Sequence, residues 1–278
     1  MPESGADSAG SSAAGTPRPD PEATRSKAAE LARLHRDPAL LTVVNVWDVI
    51  TAKVVAQVEG TKALATASHS IAASWGYEDG ENIPRDLMIE NVARIVAATD
   101  LPVTADLEGG YGDAAETVRR AIGVGAVGAN IAEQMRPLPE AVSQVEAVMR
   151  VAEQEGIEFQ LNARTDAYSR RRDRDPEENL AEAITRCKAF LDAGAPVVFV
   201  PGRLSEEHVV ALVDALGPQR LTLIAIPGNP PLARLEELGV ARVSFGPLSQ
   251  NVALTALQEL AEDAQRGGGV PASMRVLN

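Results

Sequence analysis

Eight short apolar runs recur along the chain: Leu41–Val46, Ala63–Ala67, Pro102–Ala105, Val127–Ile131, Ile157–Ala163, Pro196–Val200, Leu221–Ile226 and Ala241–Phe245. Most are continuous in Val, Ile, Leu and Ala rather than alternating, the pattern of strands buried on both faces of a parallel sheet. Segments with a helical period separate them: Val49–Glu59, Arg85–Ala98, Ala114–Ile122, Glu140–Gln154, Glu177–Leu191, Glu206–Leu216, Leu232–Leu238 and Asn251–Ala264. Pro84 and Pro176 suit first-turn positions, and Gly60, Gly156, Gly194 and Gly239 stand where a left-handed residue would end a helix. Ser205, ahead of Glu206 and Glu207, supplies a capping oxygen and favourable negative charge. Eight strand-helix units in about 240 residues predict an α/β fold, a closed (β/α)8 TIM barrel, with an open doubly wound sheet as the other arrangement.

Composition limits the rest. With 278 residues, 45% of them hydrophobic, the chain can fill one substantial core, so residues 26–278 are expected to form a single barrel domain with a C-terminal helical tail. Residues 1–25 are rich in Ser, Ala, Gly, Pro and charge and are expected to be a disordered tail. They lack the apolar region of a signal peptide, and no run approaches the ~20 residues of a membrane span, so a soluble cytoplasmic protein is expected, with no membrane partner. A net charge of −13 and 3% aromatic residues argue against nucleic acid, whose phosphates would be repelled. The single Cys187 falls within a helix and reads as a buried, inert thiol.

In a barrel of this kind function sits where the βα loops meet, at the carboxyl ends of the strands. The polar residues there are Asn45 with Trp47 and Asp48; Ser68, His69 and Ser70; Asp106 and Glu108; Asn130 and Glu133; Asn162, Arg164 and Asp166; Arg203; Asn229; and Ser244. Asp106 and Glu108 lie two apart at a strand end, so they point the same way and call for a counter-ion. Mg²⁺ is a hard cation held by one or two carboxylates and retained waters, and Glu133 at the next tip could add a third oxygen. The alternative is that these acids cap the following helices. Gly109, Gly110 and Gly112 let a ligand approach the backbone closely. Arg164 can grip a carboxylate in bidentate fashion and steady an oxyanion, or it can form a structural ion pair with Asp166. His69 reads first as a hydrogen-bonded loop residue, beside the hydroxyls and amides of Ser68 and Ser70, which suit an anionic group.

Taken in order, Asn45-Val46-Trp47-Asp48, Thr66-Ala67-Ser68, Gly76-Tyr77-Glu78-Asp79-Gly80, Pro102 through Gly112 and Asn162-Ala163-Arg164-Thr165-Asp166 resemble the isocitrate lyase/phosphoenolpyruvate mutase superfamily. The resemblance covers about residues 30–265. It implies a (β/α)8 barrel, a Mg²⁺ cofactor, and cleavage or formation of C–C or P–C bonds next to a 2-oxo acid through a pyruvate-like enolate. It also implies a homodimer or homotetramer that exchanges a C-terminal helix, here Asn251–Ala264 with the tail after it. By motif, Asp106 resembles the principal metal ligand, Glu108 the second acid and Asp79 a further acid near the metal. Arg164 resembles the arginine that holds the substrate carboxylate and enolate oxygen. Ser68 and His69 fall in the loop that binds the other end of the carboxylate, Trp47 and Asp48 lie at the edge of that pocket, and Asn229 is grouped with the substrate-binding residues.

Two departures shape the functional expectation. Where the superfamily usually reads Ile-Glu-Asp-Gln, this chain reads Ile131-Ala132-Glu133-Gln134, which removes one metal-shell acid. The lyase loop bearing Lys-Arg-Cys-Gly-His is absent, and Met135-Arg136-Pro137-Leu138-Pro139-Glu140 runs into the next helix. Such a loop is also the lid that excludes water. Its place is left open or taken by a neighbour such as Ser169–Asp175, with Arg170, Arg171, Arg172 and Arg174, although charge runs are usually solvated. What remains is a Mg²⁺-dependent lyase or decarboxylase acting on a small 2-oxo or 2-hydroxy carboxylic acid, with Glu108, Asp79 or His69 as base. The alternatives are phosphonopyruvate-type P–C chemistry, ketopantoate-type hydroxymethyl transfer, and a barrel that binds a small acid without turning it over.

Overall fold

The computed structural model describes residues 19–170 and 173–277. It opens with a helix where a tail was expected. In α1 (Pro21–Arg36), Asp20 accepts a hydrogen bond from the Glu22 amide, Pro21 occupies the first turn, and Arg33 and Arg36 lie in the last. Each feature favours a helix at that end of its dipole. Residues 21–25, expected in the tail, belong to this helix, and residues 1–18 lie outside the described residues. Ala28, Leu31 and Leu34 are buried against Leu41, Val43, Ala63, Ala65 and Val127 at the amino-terminal ends of the strands. This helix is the floor of the barrel. Its i, i+3, i+4 apolar spacing was readable in the sequence.

The first apolar run is two strands, β1 (Leu41–Val43) and β2 (Asn45–Val46), interrupted at Val44. There follow α2 (Val49–Ala56), β3 (Leu64–Thr66), α3 (Ser68–Ser74), α4 (Arg85–Val96), β4 (Val103–Asp106), α5 (Ala114–Gly123), β5 (Gly128–Ala132), α6 (Leu138–Gln154), β6 (Gln160–Arg164), α7 (Pro176–Asp192), β7 (Val197–Phe199), α8 (Glu206–Leu216), β8 (Leu221–Ile224), α9 (Leu232–Glu237), β9 (Arg242–Ser244) and α10 (Leu248–Gln265). All pairings are parallel, in the order β1-β9-β8-β7-β6-β5-β4-β3-β2. Since β1 and β2 are halves of one run, this order closes on itself. The expected barrel forms, and the open-sheet alternative is excluded.

Backbone pairing of β1 with β9 and of β2 with β3 closes the sheet, and one side chain bridges the break between them. Asn45 Nδ2 donates to the Thr66 carbonyl at 2.7 Å, and Asn45 Oδ1 accepts from the amides of Phe245 and Gly246, both at 2.8 Å. Asn45 therefore joins the start of the sheet to its end. Outward-facing residues such as Leu64, Val103, Ala129, Leu161, Val198, Leu223 and Val243 pack under the helices. Inside, Thr222 Oγ1 donates to Asn162 Oδ1 (2.7 Å) and Asn162 Nδ2 to Asn130 Oδ1 (2.8 Å). Because β7 lies between β6 and β8, the first of these bonds crosses the barrel interior.

The anticipated caps are present. Gly60, Gly156, Gly194 and Gly239 all have positive φ, and Ser205 Oγ accepts from the His208 amide. Cys187 is fully buried, with its thiol pushed up by desolvation. In α10 the buried residue is Gln250, while Val252, Leu254 and Leu257 are exposed. No helix among the described residues is long and apolar enough to cross a membrane.

Replacing Asn45 with Ala strands two amides at the seam. At about 1–3 kcal/mol for each unsatisfied buried group, Asn45→Ala is expected to lower the unfolding free energy by about 3 kcal/mol in urea titrations; a loss below about 1 kcal/mol would show that the seam is held elsewhere.

Candidate active site

β4 delivers Asp106 to the carboxyl end of the barrel, and the chain then turns through Leu107–Gly112 before α5. The turn leaves no room for side chains at two places. A Cβ on Gly109 would stand 2.3 Å from Gln134 Nε2, and one on Gly110 would stand 2.5 Å from the Ala114 backbone. Positive φ values recur at Glu81 (64°), Glu108 (54°), Tyr111 (55°), Gln134 (56°) and Met135 (59°), five of the six such non-glycine residues among those described. Contacts join these loops: the Glu81 amide donates to Glu108 Oε2, and the Tyr111 amide to Glu81 Oε1. Backbone strain concentrated in this way marks a place where geometry is imposed for a purpose.

Asp106 Oδ2 accepts from the Ser68 amide at 3.2 Å and from Ser68 Oγ at 2.9 Å, while the Asp106 amide donates to Thr66 Oγ1. Helix α3 has no side-chain cap from its own Ala67, so Asp106 caps it from another strand. Its other oxygen faces away from these bonds. Glu108 is nearly buried, with Tyr111 OH donating to Oε1 at 2.9 Å. Burial pushes Glu108 up to about 7; the Tyr111 hydrogen bond opposes this, and the charges of Asp79 and Asp106 add to it. Asp79 is exposed above this pair. Three acids thus share one corner of the rim.

Arg164, at the end of β6, is pinned by Asp166: Nε donates to Oδ1 at 2.8 Å, and Nη2 lies 2.7 Å from the same oxygen. Asp166 is fully buried, and Ser169 Oγ and Arg170 also contact it. Asp166 thus holds one edge of the guanidinium, as the ion-pair reading expected, and leaves Nη1 without a hydrogen bond among the described residues.

Other candidates are occupied differently. Both Glu133 oxygens are used by protein donors. Oε1 accepts from Thr165 Oγ1 and the Asp166 amide, and Oε2 from Arg186 Nη1 at 3.0 Å, in a pair buried on both sides. Glu133 thus braces the Arg164–Asp166 segment, and both of its oxygens already accept hydrogen bonds from protein donors. Asp48 caps α2 through the Thr51 amide and hydroxyl, and Trp47 lines an apolar groove between α2 and α10. Neither is turned to the acid cluster. Asn229 is engaged with backbone, accepting from the Leu204 amide and donating to the carbonyls of Gly202 and Ile224. His69 is exposed in the first turn of α3, while Ser70 is buried.

Residues 31–265 match the family described as phosphoenolpyruvate phosphomutase. The chain belongs to this family, within the isocitrate lyase/phosphoenolpyruvate mutase superfamily. It is 30% identical to 2-methylisocitrate lyase of Vibrio cholerae over 84% of this chain and 79% of that protein. It is 26% identical to 2,3-dimethylmalate lyase of Eubacterium barkeri over 84% of each. Among solved structures, oxaloacetate acetylhydrolase in complex with the product oxalate superposes with a TM-score of 0.80 at 25% identity, covering 90% of this chain and 91% of that one.

As a member of this superfamily the chain keeps the acid pair and the arginine but reorganises what surrounds them. Three partners were missed in the sequence. Tyr111 and Glu81 orient Glu108, and their signal was only a Gly-Tyr-Gly turn and a Glu after Gly80. Arg242 lies inside the barrel with 1% exposure, and none of its three guanidinium nitrogens has a hydrogen-bond partner among the described residues. Burial lowers it to about 10, and the charge of Asp106 works against that decrease. A charged residue within the apolar run Ala241–Phe245 was the visible clue.

Because Glu108 holds its proton more tightly in the folded protein, its stabilising contribution is complete below the unfolded value near 4.5 and is lost as pH rises through about 7. In metal-free buffer, Glu108→Gln should therefore gain thermal stability relative to the parent between pH 5 and pH 8; melting curves that stay parallel would refute the raised value.

Proposed function

We propose that this protein is a Mg²⁺-dependent lyase or decarboxylase that cleaves a C–C bond of a small 2-oxo or 2-hydroxy carboxylic acid through an enolate. The observation that carries the reading is the pairing, on one rim, of a cluster of acids, Asp79, Asp106 and Glu108, with an arginine pinned along one edge only. The donor set fits the metal: Asp106 and Glu108 offer hard carboxylate oxygens at one corner of the rim, and Glu108 is raised first by burial, with the charges of Asp79 and Asp106 adding to it. These two residues would hold the ion with retained waters, since Glu133 is committed elsewhere and no ready-made cage of three or more acidic, His or Cys groups exists among the described residues. When bound, Mg²⁺ supplies Lewis-acid polarisation of the substrate oxygens.

The chain's own residues do the rest. Arg164 binds the substrate carboxylate and stabilises the enolate oxygen as negative charge develops there. For a 2-hydroxy acid, a base takes the hydroxyl proton as the neighbouring C–C bond breaks. The hydroxyl carbon becomes a 2-oxo group, and the electron pair passes to the departing carbon, which is then protonated. Glu108, Asp79 and His69 are the candidates for that base, and where Glu108 holds the ion the transfer falls to Asp79 or His69. For oxaloacetate, loss of CO₂ leaves the pyruvate enolate directly and needs no base.

Proton NMR of reactions with oxaloacetate, 2-methylisocitrate and 2,3-dimethylmalate, with Mg²⁺ or EDTA, tests this. Product should form with metal only, and Asp106→Ala and Arg164→Ala should each lose at least about 10²-fold in kcat while still folding, the scale of removing one oxyanion donor. Full activity in either variant would sink the assignment.

The exposed apolar residues of α10 support a homodimer or homotetramer in which this helix is exchanged between barrels. Light scattering should give a dimer or tetramer mass, with Leu254→Glu/Leu257→Glu shifting it toward monomer; a monomeric parent would reject the assembly.

A further inference from the structure

Below the acid cluster, the barrel interior carries a cation that none of the steps above uses. Arg242 has Leu41 and Thr222 as register partners on its two neighbouring strands. Neighbours in register share a face of a parallel sheet, and Thr222 reaches across the interior to Asn162, so Arg242 points inward as well. With 1% exposure the guanidinium is shut away from solvent, and Nε, Nη1 and Nη2 all lack a hydrogen-bond partner among the described residues.

The polar groups around it are either engaged or orphaned in the same way. Asn130, Asn162 and Thr222 are engaged with one another. Asp106 acts on Arg242 through its charge alone, since its carboxylate is held by Ser68 and no ion pair among the described residues joins the two. Toward the floor, the Arg242 charge reaches the buried His35. The His35 Nδ1 proton goes to Gln160 Oε1, whose partner amide nitrogen donates to the Glu158 carbonyl, and Nε2 is an acceptor with no partner among the described residues. Thr104 Oγ1 is a further buried oxygen of this kind. Thr104 is the register partner of Gly128, where a Cβ would stand 3.2 Å from Thr104 Oγ1. Bulky branched side chains usually fill the layers of such a barrel; this pair contributes only a hydroxyl and a methyl.

A guanidinium donates from every N–H and accepts nowhere. Burial lowers Arg242 only to about 10, so it stays charged at neutral pH. An uncompensated buried charge is strongly destabilising, and neutral oxygens would satisfy its donors without balancing it. We infer that the barrel interior binds a small monovalent anion, a halide in its simplest form, which accepts hydrogen bonds from the Arg242 guanidinium and the Thr104 hydroxyl. Full burial of both donors restricts the occupant to a small ion. The site is separate from the acid cluster and stands whether or not the lyase reading does.

Melting curves at constant ionic strength, with sodium gluconate replaced stepwise by sodium chloride or bromide, test the site. An ion that binds the folded state alone raises the melting temperature with its concentration, and the parent should gain at least about 3 °C. Arg242→Met should abolish that gain, whatever its own stability, and Thr104→Val should reduce it. Crystals of the parent, purified in bromide throughout, should give an anomalous peak at the bromine edge within hydrogen-bond distance of the Arg242 guanidinium. A parent whose melting is indifferent to halide, or an undiminished gain in Arg242→Met, would overturn the inference. If Arg242→Met does not fold, the bromide map decides: water alone at the guanidinium rejects the anion.

Discussion

Closure of the barrel at Asn45 is the constraint on which the rest of the molecule depends. A parallel sheet that stayed open would leave the amides of Phe245 and Gly246 without their Asn45 acceptor and would separate the first and last strand ends that frame the mouth. Once closed, the carboxyl ends of all the strands face one small space. Asp106, Glu108 and Arg164 meet there although they come from different strands and loops. The same closure explains why Asp106 can cap a helix that begins forty residues earlier: β3 and β4 are neighbours, so Ser68 falls beside it.

Inside the closed sheet the chain keeps an unusual amount of polarity. Asn130, Asn162 and Thr222 satisfy one another across the interior, as buried polar groups must. Arg242 does not share in this, and its charge is felt in two directions. Toward the floor, burial and then the Arg242 charge push His35 down to about 3, so the imidazole is neutral and donates from Nδ1 to Gln160. Toward the mouth, it lies in the field of Asp106. A cation below and an acid cluster above give the barrel axis an internal polarity, and the acids are arranged so that the cluster still favours a further positive charge.

The surroundings of the site also show how a superfamily scaffold is retuned. Position 132 is an alanine, and Glu133 is drawn into a buried pair with Arg186 that stiffens the Arg164 loop. An ion pair of this depth is costly to break, because either partner alone would be an uncompensated buried charge. Its effect is positional: it fixes the backbone from which Arg164 and Asp166 project.

The alternation of strands and helices, the capping glycines, the buried Cys187 and the chemistry-bearing Asp106, Glu108 and Arg164 were all determined by local sequence. Apolar periodicity and strand-end position follow from which residues can be buried and which turns a backbone can make. The floor helix was equally legible in its spacing, although the Ser-, Ala- and Pro-rich composition just before it masked its start. Other roles depend on partners remote in sequence. Asp48 bonds the Thr51 hydroxyl and Asn229 three backbone groups, and Glu133 meets Arg186, fifty-three residues away; none of these partners could be read from the sequence. The free charge of Glu108, the strain around its turn and the orphaned guanidinium of Arg242 were decided by tertiary structure alone. Burial and proximity set proton affinity and hydrogen-bond satisfaction, and neither is a property of a residue until the chain has closed around it.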